Sequence, residues 1–474
     1  MKRSKRLSVL LGILVVACIA TFAVMQMEEK KEQIKNSGEI VLEVPSGDVQ
    51  SLNWEYGGAS LAFHKDGTWL YDDDEAFPVD EDKIHDLLEQ FESFGVSFII
   101  EEVTDLGLYG LDDPICTIQF ATEERSYEIT LGDYSHMDSE RYVSIGDGNV
   151  YLAKVDPLET FDVVLRDMIR HDRGLSYDRV SQIRFAGAEN YSIFYEEDNA
   201  AAYSAEDVYF TTQSGNPVPL DSGRVDTYLE NLALLDLSSY VTYNATEEDL
   251  SAFGLDSPEL TITVDCTTQD ADGKEVSDSF TLSVSRDPEE LAALAEADEA
   301  DETDEEDEEA FTAYAQVGES QIVYQISEYD YNNLMAASFN QLRHREVLPA
   351  DFTDVYQVDI SLEGAAYTMT ADGEDDDRVW KYEEEEIEIA GFQDALEHIS
   401  AEYSDSFTTE RPSGRKEISL TLHLDHETYP TLEIALYRYD GSDCLATVDG
   451  KPFALISRSD VVELIESVNA IVLN

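Results

Sequence analysis

The side chains best suited to chemistry in this chain form no catalytic or metal-binding motif. His423 and His426 are the closest pair among eight histidines. Residues three apart on a strand point to opposite faces, so this pair would be a poor metal site. The acidic runs at 372–377 and 383–386 lack the Asp-x-Asp-x-Asp-Gly spacing of a calcium loop. The sequence also has no glycine-rich phosphate loop, GxSxG or HExxH. We therefore predict no catalytic residue, no metal site and no cofactor.

The cysteines do not form a chemical framework either. Cys116, Cys266 and Cys444 are far apart, and no CxxC pair is present. Their odd number and wide spacing favour buried free thiols over a disulfide or zinc framework.

One short motif occurs twice, as an aromatic residue followed by Gly, Leu, two further residues and Pro. Its two copies comprise Tyr109, Gly110, Leu111 and Pro114, and Phe253, Gly254, Leu255 and Pro258. Glycine allows positive φ at a sharp turn, and proline keeps the preceding residue extended as a strand begins. The aromatic ring and the leucine would hold the loop against the core. We interpret the motif as structural, and a binding role for Asp112 or Asp256 is the alternative.

These turns belong to a unit that the chain uses three times. Each unit starts with a valine, two residues, an aliphatic residue, a polar residue and a large apolar residue, at 49–54, 180–185 and 355–360. The segments that follow recur in one order, with strand patterns of period two and helical patterns of apolar residues. The predicted fold class is α+β: three tandem repeats of an antiparallel sheet plus two helices, behind one N-terminal transmembrane helix.

The predicted units span 48–172, 179–345 and 354–474. In the first unit we expect one helix with an apolar face that runs from Ile84 to Phe94, and a closing helix that runs on to Met168.

Two features depart from the plain repeat. Residues 287–310 are rich in acids and contain no basic residue, so we predict a disordered insertion in the second unit. The third unit lacks the turn motif and has Arg411-Pro412-Ser413-Gly414 in its place. We therefore describe the third unit as diverged.

The charge of the chain is extreme, with 103 acidic and 30 basic residues and a net charge of −73. Such a surface repels nucleic acid, which is bound through basic side chains, so we predict no nucleic-acid partner. A solvated acidic surface is the simplest interpretation.

The N-terminus is basic and then apolar. Residues 1–6 include four basic residues, and residues 7–27 carry no charge. We predict a cytoplasmic tail at 1–6, a transmembrane anchor at 7–27 and a stalk at 28–47, with the bulk of the chain outside the cytoplasmic membrane. A lipoprotein with lipid on Cys18 and a cleaved signal peptide are the alternatives.

The order of elements resembles the domain-of-unknown-function family 4340. The segments that carry the resemblance are Trp69-Leu70-Tyr71, Pro78-Val79-Asp80, the turn at 109–114, Leu131-Gly132, Arg141-Tyr142-Val143 and Val150-Tyr151-Leu152. The resemblance implies a single-pass, extracytoplasmic bacterial protein whose gene often lies beside ABC-transporter genes of the gliding-motility auxiliary type. It implies no enzymatic residues.

From these observations we expect a membrane-anchored extracytoplasmic scaffold or interaction protein, an accessory of an ABC transporter. The expected partners are the membrane, through the N-terminal helix, and a transporter component. A binding module for a cell-wall or extracellular ligand is one alternative, and a hydrolase with an unrecognised site is another. A large exposed apolar patch would favour the scaffold.

Overall fold

A computed structural model describes residues 39–101, 103–270, 273–299, 310–373 and 378–473. The chain divides into two compact units, one ending at His171 and the other beginning at Asp172. The first contains one antiparallel sheet and the second contains two.

The first sheet has nine strands in the order β1-β5-β9-β8-β7-β6-β2-β3-β4. They are β1 Glu39–Leu42, β2 Val49–Tyr56, β3 Ala59–Asp66, β4 Thr68–Tyr71, β5 Phe94–Ile100, β6 Cys116–Thr122, β7 Ser126–Ser135, β8 Glu140–Ser144 and β9 Val150–Ala153.

The second sheet also has nine strands, in the order β13-β12-β11-β10-β15-β16-β17-β18-β14. They are β10 Arg179–Gly187, β11 Tyr191–Tyr195, β12 Tyr209–Gln213, β13 Asn216–Pro219, β14 Tyr240–Thr242, β15 Leu260–Gln269, β16 Glu275–Arg286, β17 Ala313–Val317 and β18 Val323–Ile326.

The third sheet has eight strands in the order β22-β21-β20-β19-β23-β24-β25-β26. They are β19 Val355–Leu362, β20 Ala365–Asp372, β21 Val379–Tyr382, β22 Glu385–Glu386, β23 Lys416–Leu424, β24 Thr431–Arg438, β25 Asp443–Val448 and β26 Lys451–Ser457.

All three sheets share one topology. The strand that bears the valine signature (β2, β10 or β19) lies in the middle of its sheet. On one side it pairs with the next strand in sequence, which pairs in turn with the strand after it, and on the other side it pairs with the first strand of a four-strand meander that begins at β6, β15 or β23. The sheets differ at their edges, where β1 and β5 extend the first, β13 and β14 extend the second, and β22 extends the third. Three sheet units therefore exist, and their predicted residue boundaries remain predictions.

A β-bulge explains the spacing of the valine signature. In each signature strand the pairing with the meander shifts by one residue just after the valine, which leaves Gln50, Ser181 and Tyr356 as the extra residues. Strand alternation alone would place residues i and i+3 on opposite faces. The bulge restores one face, so Val49, Leu52 and Trp54 are all buried in the first sheet. The corresponding side chains are also buried in the second and third sheets.

Nine α-helices, besides short 3-10 helices, accompany the sheets in the described part of the chain. They are α1 Glu81–Glu89, α2 Leu158–Phe161, α3 Ser222–Ala233, α4 Glu247–Ala252, α5 Pro288–Glu299, α6 Glu328–Met335, α7 Phe339–Leu342, α8 Ala390–Glu397 and α9 Arg458–Val472. Several of them bury apolar side chains against a sheet. Phe392 and Leu396 of α8, for example, join Leu464 and Val468 of α9 in one core with the third sheet.

The prediction of a sheet plus two helices in every unit is wrong. Beside the first sheet, α1 is the one described α-helix longer than a single turn. The expected closing helix ends at Phe161, because Asp162 leaves the helical region with φ −81° and ψ 65°. The next residues, Val163 and Val164, are β-branched and disfavour continuation. Five α-helices, α3 to α7, lie within the predicted second unit at 179–345. The sheets therefore define the units.

The first predicted helix is also shorter than its apolar pattern. It begins with Asp80 as N-cap and ends at Glu89, whereas Phe94 starts β5. Phe91 and Phe94 are still buried. The period of the apolar residues therefore identified the core face but not the end of the helix.

No helix among the described residues is long and apolar enough to cross a membrane. This finding conflicts with the transmembrane helix in the predicted fold class, and the described architecture is corrected to three sheets with their helices. The predicted tail at 1–6 and anchor at 7–27, Cys18 included, lie outside the described residues, as does the stalk up to residue 38.

The acidic insertion begins as a helix rather than a loop. Asp287 caps α5, because its Oδ1 accepts from the backbone N–H groups of Glu289 and Glu290. Pro288 is the first residue of α5, where proline is favoured. The side chain of Glu290 accepts hydrogen bonds from the backbone and hydroxyl of Thr312. The net repulsion of the run is thus offset locally by capping, and residues 300–309 lie outside the described part.

Candidate functional site

The two copies of the turn motif have the same backbone geometry. Gly110 and Gly254 have φ of +69° and +71°, and each follows a short helical turn. A Cβ on Gly110 would lie 2.7 Å from the Asp133 side chain, and one on Gly254 would lie 2.7 Å from Ser285 Oγ. Both positions therefore require glycine for two reasons, the positive φ of the backbone and the lack of room for a Cβ.

The rest of the motif packs each turn against its own sheet. Leu111 and Leu255 are buried. The ring of Tyr109 lies 5.0 Å from that of Tyr142 on β8, and the ring of Phe253 lies 4.7 Å from that of Tyr314 on β17. The two aromatic rings therefore pack against equivalent strands, β8 in the first sheet and β17 in the second.

The prolines stand at strand entrances. β6 and β15 each begin two residues after their proline, Pro114 or Pro258. Asp112 and Asp256 are both exposed. The geometry of the motif is that of a turn packed against a sheet, and the binding role for Asp112 or Asp256 stays an alternative prediction.

Five exposed apolar side chains lie on or beside the turn of the first unit and on the β7–β8 hairpin that it packs against. We call these side chains the turn patch, and they are Leu106, Leu108, Ile115, Tyr134 and Met137. Leu108 is 72% exposed and Met137 is 90% exposed. The first three residues flank the turn, and the other two lie at the end of β7 and in the β7–β8 connection. The turn packs against this hairpin, since Gly110 is next to Asp133.

The second unit provides an internal control for the turn patch. By alignment of the two turn motifs, Leu108 corresponds to Ala252 and Ile115 corresponds to Glu259. The residues that both turns need for folding, Gly110 and Leu111 in the first, recur as Gly254 and Leu255. Leu108 and Ile115 do not recur, whereas Leu106 recurs as Leu250. The fold therefore does not require Leu108 and Ile115, which makes them candidates for binding.

Acidic side chains border the turn patch. Asp105, Asp112, Asp113 and Asp133 are all exposed and lie on the turn or on β7. A partner that covers the apolar side chains must also face this negative rim. Complementarity therefore calls for basic groups on the partner.

The histidines that the sequence singled out do not share a site. His423 Nε2 lies 2.8 Å from Asp359 Oδ2, whereas His426 Nδ1 accepts from the backbone N–H groups of Thr428 and Tyr429. Burial opposes ionisation of Asp359, but its hydrogen bonds, that with His423 foremost, hold the pKa of this carboxyl below its usual value. Each ring stabilises its own local structure.

The three described cysteines are free and buried, as their spacing predicts. Burial raises the pKa of the thiols of Cys116 and Cys444 to about 11. A thiol that stays protonated is a poor nucleophile and a poor metal ligand.

One group of side chains in the second compact unit could hold a metal ion. Asp221, His344 and Glu346 each place a ligand atom within 4.8 Å of the others. Asp221 Oδ2 already accepts from Arg224 Nε at 3.0 Å, and His344 Nε2 lies 2.9 Å from the buried carboxylate of Asp207. Charge neutralisation by Arg224 weakens this group as a cation site, and we assign it no metal role.

Comparison with known proteins identifies the family. The family described as "Domain of unknown function (DUF4340)" matches residues 69–204 and 211–417. The chain belongs to this family. The resemblance drawn from the turn and its neighbouring strands is thereby confirmed. No curated protein and no solved structure matches the chain.

The sequence interpretation missed one feature of the second compact unit, a cluster of basic residues at Arg343, His344 and Arg345. The signal was three consecutive basic residues in a chain with only 30 lysines and arginines. Arg343 lies in a cleft, which is described below.

Proposed function

We propose that this chain is an interaction protein that docks a partner protein through the turn patch of its first sheet unit. The observation that carries the proposal is the exposure of Leu108 and Met137, 72% and 90%, beside a turn whose buried residues recur in the second unit. Exposed apolar side chains that neither the fold nor the repeat requires are typical of contact surfaces. The acidic rim selects a partner with apolar contacts surrounded by basic side chains.

We further propose that the partner is a component of an ABC transporter and that docking takes place outside the cytoplasm. The transporter link is supported by the gene neighbourhoods that the family resemblance implies, which is an association. The location is supported by the basic residues before position 7 and the uncharged stretch after it, a pattern typical of export. Protease added to intact cells should then digest the chain, and complete protection would contradict the location.

The docking proposal is tested with a double variant, Leu108→Glu with Met137→Glu. Co-purification with the co-expressed membrane subunit of the transporter should fall at least tenfold, because the variant replaces two apolar contacts with carboxylates that would have to be desolvated in an apolar contact. The matched control is Leu234→Glu, at a leucine in the second compact unit that is 81% exposed. This control should co-purify like the wild type.

Two outcomes would refute the docking proposal. One is unchanged co-purification of the double variant, and the other is an equal loss in the Leu234→Glu control. Circular dichroism of both variants checks that they are folded. Because all three positions are exposed in the wild type, we expect unchanged melting temperatures.

A further inference from the structure

A cleft of about 270 Å³ lies in the second compact unit, between residues of the second and third sheet units. Aromatic rings form much of its wall, and two cations line it. Among its lining residues are Tyr203, Phe339, Arg343, Tyr429, Lys451 and Phe453. The hydroxyl of Tyr429 donates to the carbonyl of Ala201, and its ring lies 4.9 Å from that of Tyr203. These contacts fix the wall on one side.

Arg343 is the unusual member of this cleft. Its guanidinium carbon lies 5.0 Å from the ring centroid of Phe339, 4.3 Å from that of Phe407 and 5.1 Å from that of Phe453. It forms no ion pair with a carboxylate among the described residues. Burial lowers the pKa of this guanidinium. Three aromatic rings therefore surround the positive charge of Arg343, and no carboxylate among the described residues accepts from its N–H groups.

Arg345 also forms no ion pair with a carboxylate among the described residues and donates to the carbonyl of Glu402, but other buried or partly buried arginines show the contrast. Arg141 Nε lies 2.7 Å from Asp156, and Arg286 Nη2 lies 2.7 Å from Glu259. A buried cation is costly unless it is paired and hydrogen-bonded. In a chain with 103 acidic residues, a carboxylate partner for Arg343 would have been easy to supply. Its absence from the described residues suggests that the anion comes from outside.

The charges around Arg343 define the anion. Lys451 adds a second cation, whereas Glu346 and Asp449 also line the cleft. These positive and negative side chains balance one another, so the cleft as a whole does not favour a doubly charged phosphate over a singly charged carboxylate. A guanidinium also matches the planar, bidentate geometry of a carboxylate. The aromatic walls favour an apolar body attached to it.

We propose that this cleft binds a small monocarboxylate with an apolar or aromatic body, whose carboxylate pairs with Arg343. The proposal is independent of the turn patch, which lies in the other compact unit. The competing explanation is that Arg343 serves only as a structural contact between Phe339 and the rings of Phe407 and Phe453. The two explanations predict different results when a ligand is offered.

The probe for this test is 3-phenylpropionate, added to the full chain and followed by calorimetry and ligand-observed NMR. We expect saturable binding, and at least tenfold weaker binding of the neutral 3-phenylpropanamide and of phenyl phosphate. Arg343→Gln should weaken binding of the acid at least tenfold, since it removes a charge-assisted pair. Arg411→Gln, at an exposed arginine outside the cleft, is the matched control and should bind like the wild type.

A labelling experiment keeps the test valid if Arg343→Gln fails to fold. Phenylglyoxal modifies accessible arginines, and 3-phenylpropionate should protect Arg343 but not Arg411 in the wild type, as mapped by mass spectrometry. Absence of saturable binding, equal binding by a folded Arg343→Gln variant, or absence of protection would each overturn the proposal.

The source of the carboxylate is a further arm of the same test. A short peptide ending in phenylalanine with a free C-terminus is compared with its amide. If the free peptide binds more tightly than 3-phenylpropionate and the amide does not bind, the cleft recognises a chain terminus. If only the small acid binds, the ligand is a free organic acid. Either result supports a carboxylate pairing with Arg343.

Discussion

A residue that recurs at the equivalent position of two sheet units is needed for folding, whereas an exposed residue without such a counterpart is a candidate for binding. Gly110 and Gly254 share positive φ and a crowded position. Leu108 has no leucine counterpart in the second unit, and Arg343 lies against three rings without a carboxylate. Repetition within one chain thus separates the turn glycines from Leu108 without any other sequence.

The crowding at Gly110 has a measurable cost. Gly110→Ala should lower the free energy of unfolding of the first unit by about 2–4 kcal/mol, because an alanine there is strained by positive φ and meets neighbouring atoms. The backbone nitrogen of Asp133 would be 2.9 Å from the new Cβ, so a side-chain rotation cannot relieve the contact.

Gly146 provides the control for this prediction. It also has positive φ, +79°, but a Cβ there would meet nothing within 4 Å. Gly146→Ala should therefore cost only about 1 kcal/mol, the cost of the backbone conformation. Urea unfolding measures both variants, and equal costs would show that the contact with Asp133 is unimportant.

Glu259 should make the stability of the fold depend on pH. Burial raises the pKa of Glu259, but hydrogen bonds from Arg286 and Tyr331 outweigh it, so the pKa is below its usual value. A lowered folded-state pKa means that the ionised carboxylate stabilises the fold above its unfolded pKa of about 4.3, and that this contribution is lost as pH falls through the folded pKa.

The stability difference between wild type and Glu259→Gln should therefore shrink as pH is lowered from 6 to 3, as measured by urea unfolding. Glu206→Gln, at an exposed glutamate, is the control and should show little change with pH. A difference that stays constant across this range would mean that the carboxylate is not the stabilising group.

At the scale of elements, the bulge in each signature strand is the feature that the repeat preserves most consistently. It follows Val49, Val180 and Val355, and it allows a valine three residues before the next core residue to share its face. The helices are less consistent, since α2 is a single turn and α9 runs from Arg458 to Val472. Sheet pairing constrains the strands more tightly than packing constrains the helices.

Removal of the bulge should be costly. Deletion of Gln50 would turn the side chain of Val49 to the opposite face, because side-chain direction alternates along a strand. We expect a loss of about 1.5–3 kcal/mol in the free energy of unfolding, which is the cost of exposing one large aliphatic side chain.

Substitution at the same position separates the length of the strand from its side chain. Gln50→Ala keeps the bulge and should change the unfolding midpoint little, because Gln50 is only partly buried. If deletion and substitution had equal effects, the bulge would not be the cause. The same comparison can be repeated at Ser181 in the second sheet.

At the scale of the whole molecule, charge is the dominant property. A net charge of −73 in 474 residues opposes the compact state through self-repulsion. Added salt screens this repulsion, with a Debye length that falls from about 30 Å at 0.01 M to about 10 Å at 0.1 M.

The melting temperature should therefore rise when sodium chloride is increased from 10 mM to 200 mM, as measured by calorimetry. Most of the rise should occur at the low end of this range, where screening changes most. A melting temperature that falls with salt would mean that attractive ion pairs such as Arg141–Asp156 outweigh the repulsion.

The amino-acid sequence by itself determined the family, the strands of the repeat and the turn glycines. These features are local, since alternation, a positive-φ glycine and a proline at a strand entrance act over a few residues. The signature at 49–54 and its two copies predicted three sheet units, because the spacing of apolar residues over six consecutive positions defines the buried face of each strand. The unit boundaries, the transporter link and the exported location remain predictions.

Only the tertiary structure decided the helices and the candidate binding surfaces. The closing helix of the first unit ends at Phe161, although the apolar pattern continues to Met168. The rings around Arg343 come from residues as far along the chain as Phe453, and the turn patch joins Leu108 to a hairpin at Met137. Contacts between segments so distant in sequence leave no periodic pattern in either segment, because burial and pairing there depend on how the sheets bring the segments together.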